Sequence, residues 1–107
     1  MIEVKYGYIP DKMFVNYFNF LVGRVFKILP ISEEQPDTLR DYLNSLLIEL
    51  VGSKELILKI RDDANFISLL SILQYLNSNE CNHNEIRKEV FHCINIINKL
   101  QTQYGFE

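Results

Sequence analysis

Between Pro10 and Pro30 the chain reads Asp-Lys-Met-Phe-Val-Asn-Tyr-Phe-Asn-Phe-Leu-Val-Gly-Arg-Val-Phe-Lys-Ile-Leu, and nearly every position is large and apolar. After Asp11 the exceptions are Lys12, Asn16, Asn19, Gly23, Arg24 and Lys27. Wound as a helix at about 100° per residue, all of these except Arg24 fall within a wedge of roughly 80°. A helix of this kind expects cover on about three of its sides. The pattern therefore predicts the central helix of the fold, with one narrow polar strip as its only patterned surface.

A chain of 107 residues, 48% hydrophobic and 12% aromatic, is expected to form one domain with its own core and is too apolar for disorder. The net charge of −3 is unevenly spread. Residues 1–30 carry Lys5, Lys12, Arg24 and Lys27 against Glu3 and Asp11, and the acidic excess lies beyond them. No basic stripe of the sort a polyanion needs is visible, so nucleic-acid binding and attachment to an anionic membrane are not expected. Cys81 and Cys93 are too few for a disulfide scaffold. The start lacks a basic segment followed by an apolar run and a cleavage site, and polar residues interrupt the stretch 13–29. The expectation is a cytoplasmic protein with no membrane span. Thirteen Ile and ten Asn stand against a single Ala. AT-rich codons produce such a skew, which points towards a low-GC bacterium, or a phage or plasmid of one.

Along the chain, Ile2, Val4, Tyr6 and Tyr8 alternate with Glu3, Lys5 and Gly7, a strand-like period. No second strand is evident, so residues 1–9 are read as an extended arm lying over the helices, with pairing to another chain as the alternative. The first helix follows Pro10 and runs to Leu29, where Pro30 stops it. Residues 31–37 form a polar connection, and Thr38 with Asp41 resembles a capping pair. Leu39, Tyr42, Leu43, Leu46, Leu47 and Leu50 mark one face of a second helix, which Gly52 closes in a left-handed conformation. Ser53 caps a short helix over 54–61. Asp62 or Asp63 caps a longer one over 64–77, unless the two are one bent helix. Residues 77–84 form a loop, Asn82 and Glu85 a further capping pair, and the last helix covers about 83–103. It buries Ile86, Val90, Cys93, Ile94, Ile97 and Leu100, with Arg87, Lys88, His92 and Lys99 opposite. The predicted fold is all-α: an antiparallel bundle of four main helices plus one short helix over residues 10–107, with the N-terminal arm.

No motif for chemistry stands out. Cys81, His83, His92 and Cys93 could bind zinc by type. However, His92 and Cys93 are adjacent on a helix and point about 100° apart, and Cys93 lies on the apolar stripe. The same geometry fails for a cysteine–histidine nucleophile, and nothing offers an oxyanion hole. Asp62–Asp63 and Glu33–Glu34 are adjacent pairs that face apart in solvent. The isolated glycines form no phosphate loop. The segment after Gly52 is too apolar to lie in a DNA groove. No catalytic residue, metal ligand or cofactor is expected.

Two features remain. Tyr6 and Tyr8 sit on the arm, and tyrosine is favoured at interfaces because it offers apolar area with a hydroxyl. The strip Lys12, Asn16, Asn19, Gly23 and Lys27 is either the wet edge of a central helix or a recognition surface, where bare backbone at Gly23 admits close approach. If exposed aromatics flank the strip, the second reading gains. The expected function is therefore a non-enzymatic protein-binding module, working with another protein or as a homodimer, whose acidic remainder could engage a basic partner. Size and composition suit an accessory protein of a phage or mobile element, such as an inhibitor of a host defence enzyme or an assembly chaperone. The alternative is a nucleic-acid-associated regulator using Lys5, Lys12, Arg24 and Lys27 with the N-terminal tyrosines.

Overall fold

A computed structural model describes residues 2–104. It is 83% helical, an all-α bundle with an N-terminal arm. The arm is a hairpin of β1 (Ile2–Val4) and β2 (Gly7–Ile9), in antiparallel register with Ile2 opposite Ile9 and Val4 opposite Gly7. The single strand read from the alternation is thus two, and both partners lie in the one short run. Gly7 makes the reversal: its φ of +153° is a conformation that side chains disfavour. The hairpin leans on its own chain. Ile2 is buried, the Lys5 N–H donates to the Leu56 carbonyl at 2.7 Å, and Val4 bridges Ile57.

The helices are α1 (Asp11–Phe26), α2 (Ile28–Glu34), α3 (Leu39–Leu56), α4 (Leu58–Arg61), α5 (Ala64–Ser78) and α6 (His83–Tyr104). Four local expectations are corrected. Pro30 does not stop the first helix. It has no N–H to offer the Phe26 carbonyl, so the regular helix is interrupted at Lys27, and Pro30 becomes the third residue of α2, where a missing donor costs nothing. Bonds from Lys27 N–H to Gly23 O (3.1 Å) and Ile31 N–H to Lys27 O (3.3 Å) carry the path through the interruption. Gly52 does not end the second helix, and Ser53 caps nothing. Both lie inside α3, which runs on to Leu56 because its apolar face continues to find cover. Thr38 is no cap: its hydroxyl donates back to the Gln35 carbonyl. By contrast, Asp63 caps α5 by accepting from the N–H groups of Asn65 and Phe66, and Asn82 accepts from the Glu85 N–H at the start of α6.

The larger correction concerns the centre. α6, not α1, is the hub, packing along α1, α2 and α5. Asn19 reaches Gln101 and Phe26 meets Phe91, so α1 and α6 run antiparallel. Asn65 with Gln103 sets α5 antiparallel to α6, and Asn77 with Asn44 and Arg40 sets α3 antiparallel to α5. α1 buries a single stripe, Phe14, Phe18, Leu21 and Val25. Met13, Phe20 and Phe26 are each about half exposed, at 56%, 53% and 49%. Apolar count overstates burial here, because so short a chain has too few neighbours to surround any one helix. On α6, Ile96 is buried and Ile94 only partly so. The buried side chains form one continuous core running from Ile2 to Leu100.

Candidate functional site

The core stripe of α1 fixes what faces outward. Phe14, Phe18, Leu21 and Val25 recur at intervals of four, three and four, so residues half a turn away must point to solvent. Those residues are Lys12, Asn16, Asn19, Gly23 and Lys27, and all five are exposed. Met13 and Phe20 border the strip on one side and Phe26 on the other, all open to solvent. The Asn19 carbonyl oxygen accepts from the Gln101 amide, which clasps that edge of the strip to α6. No neighbouring atom lies within 4 Å of where a Cβ on Gly23 would stand.

Arg24, the one polar residue outside the wedge, anchors α1 to α3. Its guanidinium is 2.5 Å from Glu49 and donates to the Tyr42 hydroxyl at 3.2 Å, while that hydroxyl donates to the Arg24 carbonyl at 2.6 Å. It also lies over the Phe20 ring at 5.6 Å. The Tyr17 hydroxyl is buried nearby, close to Ser53. Burial pushes it up to about 12, with Ser53 and Arg24 opposing the shift and Glu49 adding to it.

Tyr6 and Tyr8 are the more exposed tyrosines, at 85% and 65%. They stand on the hairpin, joined to the Lys12 end of the strip through Pro10, and so are set apart from Gly23 and Lys27.

The sequence did not reveal the contribution of α6. Phe91 meets Phe26 edge to face, with ring centres 6.3 Å apart. Phe26, Leu29, Pro30, Glu33, His83, Arg87 and Phe91 enclose a groove of about 360 Å³ between α2 and α6. The available signal was an aromatic standing off the apolar stripe of a strongly two-sided helix. Periodicity cannot say which neighbour such a residue will meet.

The residues singled out for chemistry disperse. His83 pairs with Glu33 at 3.0 Å, Cys93 is buried in the core, and Cys81 lies half-buried beside Tyr75. Burial, with Glu89 adding to it, pushes the Cys93 thiol up to about 12. Burial and the nearby Glu85 raise Cys81 as well. Among the described residues no three His, Cys, Asp or Glu side chains converge as a metal site. A second pocket of about 360 Å³ opens at the end of the bundle, with Arg40, Asn77 and Cys81 in its wall. Asp62 and Asp63 part company: Asp62 is exposed, and Asp63 is committed to Tyr104, Gln103 and the α5 N-terminus.

The run Asp11–Glu34 is long and apolar enough to cross a bilayer by length and composition. It is interrupted at Lys27, its core stripe is covered, and Arg24 ties it to α3. Comparisons with family models, curated proteins and solved structures return no match.

Proposed function

We propose that this chain is a non-enzymatic protein-binding module whose contact surface is the outer face of α1. One observation carries the reading: the strip opposite the core stripe is exposed and bordered by the half-exposed side chains of Met13, Phe20 and Phe26. Exposed apolar area beside polar side chains is what marks an interaction surface, and here three large apolar side chains adjoin the polar strip. Gly23 fits the same purpose. A mid-helix glycine weakens its helix, and here it offers bare backbone to solvent with nothing above it.

The strip favours a different protein over a second copy. Antiparallel pairing of two α1 helices about Asn19 sets Lys12 against Lys27, and parallel pairing sets each lysine against itself. Both arrangements juxtapose like charges. The aromatics also argue for protein over single-stranded nucleic acid. Arg24 lies over the Phe20 ring and Arg87 over the Phe91 ring, leaving less open face for a base to stack on. The Ile- and Asn-rich composition supports the narrower reading of an accessory protein from a phage or mobile element.

Capture from the cells of origin tests the surface. Wild type and a Ser68→Arg control, altered on the exposed side of α5, are expected to retain the same protein, and Gly23→Arg to lose it. Equal retention by all three variants would count against the proposal.

A further inference from the structure

We infer that the partner presents a short acidic segment carrying one large apolar side chain, which seats in the groove between α2 and α6; this rests on the docking role of α1 proposed above. The groove adjoins the strip. Phe26, Leu29 and Pro30 form one wall and Phe91 the other, so its lining is mainly apolar. Its charged lining residues are Arg87 and Glu33, the latter turned to His83, and two further cations stand on the adjoining strip. Lys27 follows Phe26 on the strip and Arg87 lies one turn before Phe91, while Lys12 extends the same face along α1. Among the described residues, none of these three cations is ion-paired.

Of the carboxylates nearby, only Glu33 lines the groove. Glu33 is joined to His83 at 3.0 Å, and Glu85 and Glu89 turn towards Tyr75 on the α5 side of α6. A molecule of net charge −3 thus keeps a basic, apolar-lined seam along α1 and α6. Charge complementarity selects an acidic occupant, and the groove selects an apolar anchor. A bilayer surface cannot enter a concave groove, and the net negative charge of the whole molecule opposes a long polyanion.

The chain contains no tryptophan, so a tryptophan placed in a probe peptide reports its own burial. The probe is a helix-forming peptide of a dozen residues with one tryptophan among glutamates, and its twin carries lysines in their place. The glutamate peptide is expected to shift its emission to the blue and saturate, and the lysine twin to stay unbound. Lys27→Glu combined with Arg87→Glu is expected to weaken binding at least tenfold while the melting temperature stays within a few degrees of wild type; Phe91→Glu provides a second disruption. Binding of both peptides alike, unchanged affinity in the double variant, or tighter engagement of oligothymidine or anionic vesicles would each overturn the inference. If the protein captured from cells depends on Gly23 but ignores the Lys27 and Arg87 reversals, only the acidic-partner claim falls. If it ignores Gly23, the docking surface itself falls.

Discussion

Gly23 and Gly52 are matched in conformation and differ in setting. Each is helical, and each has open space where a Cβ would stand. Alanine at either site is therefore expected to raise stability by about 0.5–1 kcal/mol, read from the midpoint of urea unfolding. Their effects should part on partner binding: Gly23→Ala weakens it because the methyl lifts the partner off the backbone, and Gly52→Ala leaves it unchanged. Asp63 supplies a test of a different kind. Burial pushes its carboxyl up, but the Tyr104 hydroxyl, the Phe66 N–H, the Gln103 amide and the Asn65 N–H together hold it below its ordinary value. A carboxylate depressed in the folded state supports the fold at pH values above its unfolded value of about 3.9, and that support is lost as pH falls through this region. Asp63→Asn keeps the cap but removes the titration, so its stability should fall less steeply between pH 5 and pH 2. An acid limb as steep as that of wild type would contradict the assignment.

Among the helices, α6 carries the architecture and α1 the surface. Ile97 is fully buried on α6, so Ile97→Ala is expected to cost about 2–5 kcal/mol in chemical denaturation. Phe20→Ala on α1 removes a larger side chain, but one already half in water, and should cost under about 1 kcal/mol. Equal costs would mean that α1 is the true centre. Much of this was legible in the chain. A cap for α5 at Asp62 or Asp63, the Asn82–Glu85 start of α6 and the core stripes of α3, α5 and α6 follow from local chemistry and a 3.6-residue period; the structure selects Asp63. What escaped were residues with more than one use. Pro30 can end a helix or sit in the first turn of the next, Gly52 can close a helix or lie within it, and Gly7 can occupy one face of a strand or turn the chain. Tertiary cover decides each case, and no local pattern contains it. The same limit applies to the candidate site. The wedge on α1 was visible as a period, whereas Phe91 and Arg87 joined it only because α6 lies alongside.

In the molecule as a whole, one continuous core lies beneath a surface with exposed apolar side chains on α1, α3, α5 and α6. The core has a built-in reporter: Cys93 is fully buried and its thiol is pushed up to about 12, whereas Cys81 is only half-buried. Under native conditions iodoacetamide should modify Cys81 first, and Cys93 only at the rate of global unfolding. Denaturant should accelerate Cys93 labelling in step with loss of helical signal. Labelling of both thiols at similar rates in buffer would mean that the core opens locally around α6. Along α1 and α6, exposed apolar area lies beside Lys12, Lys27 and Arg87, which form no ion pair among the described residues.

A photo-crosslinking amino acid placed at position 16, in the middle of the strip, and separately at position 68 on the exposed side of α5, addresses this directly in living cells. The docking role of α1 predicts one discrete adduct with a second protein from position 16 and none from position 68. No adduct from position 16, or the same adducts from both positions, would contradict it.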